Sequence, residues 1–153
     1  MRIAKSATAI PSSLILLVDD NKMGLAARRV VLEELGHTVV TAANGQDALN
    51  LIEAQSFDLV ITDWKMPKLD GIEMIRRLRE SQFPSPIILL SGFADNGGIS
   101  EDKTGADSVV QKSANEVQML LSAVKRLLSK KPMRKPPAAQ PAAKTVKPKS
   151  KSV

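Results

Sequence analysis

The chain contains no cysteine and no tyrosine, only one tryptophan and one histidine, and aromatic residues make up 3% of its 153 residues. Without cysteine there is no disulfide framework, no thiolate metal site and no cysteine nucleophile. No apolar run approaches the roughly 18 residues that a membrane span needs. The apolar run at residues 14–18 is also too short for the apolar stretch of a signal peptide. We therefore predict a cytoplasmic protein without membrane contact.

Positive charge is concentrated at the C-terminal end of the chain. The net charge is +6, yet the ten basic residues from Lys125 onward face no acidic ones, so residues 1–124 carry a net charge of −4. Residues 131–153 also hold five of the nine prolines and no aromatic residue. Such a segment buries too little apolar surface to offset the entropy of ordering. We predict a folded domain over 12–129, with disordered segments at 1–11 and 130–153.

Short apolar runs alternate with helical patterns through the predicted domain. Near-continuous apolar strands that alternate with helices are typical of a parallel sheet covered on both faces, so we predict an α/β, doubly wound, five-stranded sheet. The first helix has an apolar stripe that includes Met23, Val30 and Leu35, and Asn21 precedes it as a candidate N-cap. A helix over 96–103 should be weak, because its two glycines cost roughly 2 kcal/mol relative to alanine. The predicted strands are 14–18, 37–42, 57–62, 86–91 and 107–111.

Polar side chains follow four of the predicted strands. Asp19 and Asp20 follow the first, Asp63 follows the third, Ser91 ends the fourth and Lys112 follows the fifth. Ligands bind at the carboxyl edge of open α/β sheets, where these strand ends meet. Three carboxylates at one edge repel one another, which predicts a bound cation there.

This set of motifs resembles the receiver domain of two-component response regulators, the chemotaxis single-domain kind in particular. The matching text is Asp19-Asp20-Asn21, Asp63 to Pro67 with Asp70-Gly71, Ser91-Gly92, and Gly105 to Asp107 with Lys112. The resemblance covers roughly residues 12–129. It implies a flavodoxin-like fold with strand order 2-1-3-4-5.

The resemblance also implies a chemistry and a partner. Asp63 would accept a phosphoryl group from the phosphohistidine of a sensor histidine kinase or a phosphotransfer protein, giving an acyl phosphate. Lys112 and Ser91 would contact the phosphoryl oxygens. Mg²⁺ would offset a charge repulsion of about 4 kcal/mol per charge pair. The implied Mg²⁺ ligands are Asp20, Asp63, the backbone carbonyl of Lys65 and, through water, Asp19.

Three positions depart from the family pattern. The aromatic switch residue three positions before Lys112 is replaced by Val109, which indicates a weaker or differently built relay. The usual cis proline after the lysine is replaced by Ser113. Because a cis bond before a non-proline residue costs about 2.5–4 kcal/mol, we predict a trans Lys112–Ser113 bond and a shifted loop. Gly97 and Gly98 loosen the helix that usually contacts partners.

Other functions remain open at this point. A hydrolase with an aspartyl nucleophile, similar to the haloacid-dehalogenase phosphatases, would need an acid two residues after Asp63, where the chain has Lys65. A degenerate receiver would act only as a binding scaffold. Residues 130–153 would contact nucleic acid or an acidic partner weakly and in a salt-dependent way. We expect a single-domain regulator that is not an enzyme, with an unknown downstream protein target and no output domain after Ser129.

Overall fold

A computed structural model of the chain describes residues 12–92 and 104–134. Within these residues, five parallel strands form one sheet in the order β2-β1-β3-β4-β5, which confirms the predicted fold class and strand order. The strands are β1 (Leu14–Val18), β2 (Thr38–Ala42), β3 (Leu59–Asp63), β4 (Ile87–Ser91) and β5 (Ser108–Gln111). The helices are α1 (Lys22–Glu34), α2 (Gly45–Ala54), α3 (Gly71–Glu80) and α4 (Glu116–Arg134).

Both faces of the sheet are buried. Alternate residues of a strand point to opposite faces, so Ile15 and Leu17 of β1 pack with α1 and α4, whereas Leu16 and Val18 pack with α2 and α3. The central strands β1, β3 and β4 contain residues with no exposed side-chain surface, among them Ile61. This sandwich fixes the carboxyl ends of β1, β3 and β4 at one edge of the sheet.

Three helices begin at side chains that cap them. The side-chain oxygen of the capping residue accepts a hydrogen bond from a backbone N–H of the first turn, which satisfies one of the donors left free there. The prediction that Asn21 caps α1 is confirmed. The caps are Asn21 for α1, Asn44 for α2 and Asp70 for α3.

The predicted apolar stripe of α1 is wrong. Met23 is 82% exposed and Val30 is 53% exposed. The inward face instead carries Arg28 and Leu32, with Leu25 partly buried beside them. The pattern failed because a buried arginine occupies the centre of the inward face, where hydropathy predicts an apolar side chain.

Several boundaries differ from the predictions. Strand β3 begins at Leu59, two residues later than predicted, and the Asp58 carboxylate just before it accepts a hydrogen bond from the Leu14 N–H at 2.8 Å. Helix α4 continues past the predicted domain end at residue 129 to Arg134. The predicted weak helix at 96–103 lies outside the described residues, as do residues 1–11 and 135–153. Among the described helices, none has the length and hydrophobicity that crossing a bilayer requires.

His37 is buried beside the start of β2. The Ser13 backbone N–H donates to His37 Nδ1 at 3.1 Å, and among the described residues Nε2 has no hydrogen-bond partner. Burial lowers the pKa of His37, and the negative charge of Asp58 only partly opposes this. The folded state therefore binds a proton less readily than the unfolded chain, where a histidine has its ordinary pKa of about 6.5.

Lowering the pH through about 6.5 should therefore reduce the free energy of unfolding. His37 contributes stability that is present above its unfolded pKa and is lost as the pH falls toward the lower folded value. We expect urea unfolding to show this slope between about pH 7.5 and about pH 5.5, above the range in which ordinary carboxylates titrate. In His37→Asn, which retains an acceptor for Ser13, the slope should largely vanish. A slope of equal size in His37→Asn would contradict the assignment.

Candidate functional site

The three predicted acids lie together at the carboxyl edge of the sheet. Asp19 and Asp20 follow β1, and Asp63 ends β3, which pairs with β1 in parallel register. Carboxylate oxygens of the three residues lie within 4.8 Å of one another. Asp19 and Asp63 are buried, while Asp20 is exposed. The structure thus places one acid at the surface of the pocket and two beneath it.

Lys112 and Ser91 complete this edge from the next strands. Lys112 Nζ lies 2.6 Å from Asp63 Oδ1. The Lys112 N–H donates to the Ser91 carbonyl at 2.8 Å, which ties the residue after β5 to the end of β4. The buried Ser91 hydroxyl makes a long contact of 3.4 Å to the Gly92 carbonyl. All five side chains singled out from the sequence therefore occupy one edge of the sheet.

The surroundings of Asp63 act on its pKa in opposite directions. Burial raises the pKa of its carboxyl, while the hydrogen bond and charge of Lys112 act to lower it. The nearby charge of Asp19 raises the pKa further, and the net direction is upward. Burial is thus the main cause of the raised pKa, and the negative charge of Asp19 adds to it. A bound cation would lower the pKa again, because it favours the charged carboxylate.

The turn after β3 folds tightly against Asp63. The Gly71 N–H donates to the Trp64 carbonyl at 2.8 Å, and the Thr62 hydroxyl donates to the Asp63 carbonyl at 2.9 Å. A Cβ added to Gly71 would lie 2.1 Å from the Asp63 carbonyl oxygen. Only glycine therefore allows α3 to begin so close to the strand end. This packing fixes the backbone from which the Asp63 side chain projects.

A buried ion network at the site was not predicted. Arg28 Nη1 donates to Asp19 Oδ2 at 2.7 Å, while its Nε and Nη2 donate to the two carboxylate oxygens of Glu116 at 2.6 and 3.2 Å. Burial alone would lower the pKa of Arg28, but the hydrogen bonds and charges of Glu116 and Asp19 outweigh it and raise the pKa. The only sequence signal was a basic residue on the inward face of α1.

The positions that depart from the family pattern are partly described. No peptide bond within residues 12–92 and 104–134 is cis, so the predicted trans bond between Lys112 and Ser113 is confirmed. Val109 lies on β5 and is partly buried against the α2–α3 side of the core. Gly97 and Gly98 lie outside the described residues.

The Lys65 amine lies 4.1 Å from the centroid of the Trp64 ring, a cation–π contact at the mouth of the site.

The family with the description "Response regulator receiver domain" matches residues 15–125. The chain belongs to this family. It is thus a receiver domain of two-component signalling, in which receiver domains take phosphoryl groups from sensor histidine kinases. The match runs from the second residue of β1 to the middle of α4. The resemblance predicted from the motifs is confirmed.

Relatives place this domain in longer proteins. The chain is 35% identical over 136 residues to the gliding motility regulatory protein of Myxococcus xanthus, covering 82% of the chain and 17% of that relative. It is 34% identical over 115 residues to the alkaline phosphatase synthesis transcriptional regulatory protein PhoP of Bacillus subtilis, covering 73% of the chain and 48% of that protein. The chain therefore spans less than half the length of these two curated relatives.

A solved structure links this fold to a magnesium complex. Response regulator TrrA of Thermotoga maritima, solved in complex with Mg²⁺-BeF, superimposes with a TM-score of 0.67 at 34% identity. The superposition covers 74% of the present chain and 97% of TrrA. Receiver domains bind Mg²⁺ at an acidic pocket.

The donor set of the present chain fits a magnesium ion. Mg²⁺ prefers hard oxygen ligands and retains several waters, so it needs only a few carboxylates. The clustered oxygens of Asp19, Asp20 and Asp63 supply such ligands, and exposed Asp20 leaves the pocket open to hydrated ions. The roles of these side chains, and of the Lys65 carbonyl, stay predictions.

Proposed function

We propose that the chain accepts a phosphoryl group on Asp63 from a phosphohistidine donor, in a Mg²⁺-dependent reaction, and signals through altered protein contacts. One observation carries the proposal: Asp63 Oδ1 lies 2.6 Å from Lys112 Nζ, and its carboxylate shares a pocket with those of Asp19 and Asp20. The side chains that we propose as nucleophile, fixed cation and metal ligands thus lie close together.

The chemistry follows from these positions. A carboxylate oxygen of Asp63 forms a bond to phosphorus as the phosphorus–nitrogen bond of the donor breaks, and the donor imidazole leaves and takes up a proton from solvent. Lys112 exchanges its contact with Asp63 for a phosphoryl oxygen, and Ser91 donates its hydroxyl to another. Asp20, Asp63 and the Lys65 carbonyl would hold Mg²⁺, with Asp19 contributing through water. The bound ion would neutralise charge that repels the incoming anion.

We propose that the chain is not an enzyme. Its chemistry is confined to taking up a phosphoryl group and losing it to water. A phosphatase that uses an aspartyl nucleophile needs a second acid two residues on, and Lys65 stands there with its amine against the Trp64 ring. A degenerate scaffold is disfavoured because the nucleophile, the lysine and both further acids are all present. Weak contact of residues 130–153 with nucleic acid remains a prediction from charge alone.

Incubation with a small-molecule phosphodonor tests the proposal. With Mg²⁺ present, intact-mass measurement should show the gain of one phosphoryl group, and EDTA should prevent it. Hydroxylamine should remove the group, because acyl phosphates react with it whereas phosphoserine esters do not. A phosphoryl group that forms without Mg²⁺, or that survives hydroxylamine, would contradict the proposal.

A further inference from the structure

Arg28 joins the acidic site to the first residue of α4. Its guanidinium binds Glu116 through two nitrogens and Asp19 through a third, and its side chain is only 10% exposed. Bidentate arginine–carboxylate pairs have a fixed geometry as well as a favourable energy. Glu116 is 88 positions away along the chain. The network therefore spans α1, the end of β1 and the start of α4.

Both oxygens of the Asp19 carboxylate accept a hydrogen bond in this arrangement. Its Oδ2 accepts from Arg28, and its Oδ1 accepts from the Asn21 N–H at 3.0 Å. A Cβ added to Gly24 would lie 2.8 Å from Arg28 Nη1 and 2.9 Å from Asp19 Oδ2. The helix surface thus leaves room for the ion pair at a position that any other residue would crowd. Arg28 holds Asp19 in one orientation beside Asp20 and Asp63.

Two cations already reside among the three acids. Lys112 pairs with Asp63 and Arg28 pairs with Asp19, so an incoming Mg²⁺ meets a pocket whose negative charge is partly offset. Glu116 shares the guanidinium with Asp19, because it accepts two hydrogen bonds from Arg28. How strongly Arg28 is bound by Glu116 rather than by Asp19 therefore determines how much negative charge Asp19 presents to a metal ion.

We propose that Arg28 is a positioning residue that sets the Mg²⁺ affinity of the site by dividing its charge between Asp19 and Glu116. This inference rests on the proposed function, because it takes the acidic pocket to be a magnesium site. It predicts opposite changes in Mg²⁺ affinity when Arg28 and Glu116 lose their charges. Removing the Arg28 charge strengthens Mg²⁺ binding, whereas neutralising Glu116 leaves Arg28 bound to Asp19 alone and weakens Mg²⁺ binding.

Titration of the full chain with Mg²⁺ at fixed ionic strength tests this inference. Trp64 is the only tryptophan and directly follows Asp63, so its fluorescence reports the site. Arg28→Met should lower the Kd for Mg²⁺ about tenfold, and Glu116→Gln should raise it about threefold. Arg28→Lys, which retains the charge, should stay within about threefold of wild type. Arg29→Met removes the same charge from the exposed neighbour that pairs with Glu33, and should leave the Kd unchanged.

The outcomes separate this inference from the proposed function. Wild-type chain that shows no Mg²⁺ binding, by fluorescence or calorimetry, would overturn both. Wild-type binding with an unchanged or higher Kd in Arg28→Met would overturn only the role of Arg28, as would an equal shift in Arg29→Met. If Arg28 and Glu116 had a merely structural role, Arg28→Met and Glu116→Gln would change the Mg²⁺ affinity in the same direction. Should Arg28→Met fail to fold, the Kd of Glu116→Gln decides: a rise supports the inference, and no rise refutes it.

Discussion

Asp63→Asn should reduce phosphoryl uptake from a small-molecule phosphodonor by at least about two orders of magnitude. The amide keeps the shape of the side chain at the end of β3 but removes the nucleophilic charge. It also removes one of the three carboxylates that share the pocket. Intact-mass measurement over time, with Mg²⁺ present, gives the rate for each protein.

Asp70→Asn is a matched control for this substitution. Asp70 caps α3 in the same turn by accepting a hydrogen bond from the Glu73 N–H at 2.9 Å. Asparagine is an equally good N-cap, so the fold should be retained. We expect Asp70→Asn to take up phosphoryl groups at close to the wild-type rate. Equal uptake by wild type and Asp63→Asn would place the acceptor elsewhere.

Gly71→Ala should destabilise the fold by about 3 kcal/mol, because added atoms in a well-packed position force the backbone to shift. The new Cβ would lie 2.1 Å from the Asp63 carbonyl oxygen and 3.1 Å from its carbonyl carbon. Relief requires α3 to move away from β3 or the end of β3 to move. Either shift displaces the Asp63 side chain, so phosphoryl uptake should fall about tenfold. Urea unfolding and the uptake rate measure the two effects.

Gly105→Ala separates lost stability from damage to the site. Gly105 has a φ of +83° and lies beside Arg79 and Ile75 of α3. Alanine there should cost about 1–2 kcal/mol through left-handed backbone strain. Because Gly105 is remote from the acidic pocket, phosphoryl uptake by the folded protein should be unchanged. An uptake rate for Gly71→Ala that also stayed at the wild-type value would contradict the proposed coupling between Gly71 and Asp63.

The strand ends were predictable because they depend on local patterns. Apolar runs that end in Asp19, Asp63 and Ser91 place these residues at the edge of a parallel sheet, whatever the exact packing of the helices. Lys112 gained its meaning mainly from the family resemblance, since a lysine after a short strand is common. The cap at Asn21 was also readable from residue type and position alone.

The features that escaped prediction depend on contacts between distant parts of the chain. Nothing near Arg28 in the sequence indicates that Glu116 will meet it, so hydropathy placed the buried face of α1 on Met23 and Val30 instead. Gly71 was read as part of a motif, but its reason, the close approach to the Asp63 carbonyl, appears only once α3 is packed against β3. Long-range ion pairs and tight backbone contacts leave no periodic signal in a sequence.

A structure of the chain determined with Mg²⁺ and beryllofluoride tests the central claim most directly. Beryllofluoride stands in for the phosphoryl group, and we expect it bonded to an Asp63 carboxylate oxygen. Mg²⁺ should be bound between Asp20 and Asp63, and Lys112 should contact a fluorine. A pocket that contains neither group at saturating concentrations, or beryllofluoride bonded to another carboxylate, would contradict the account.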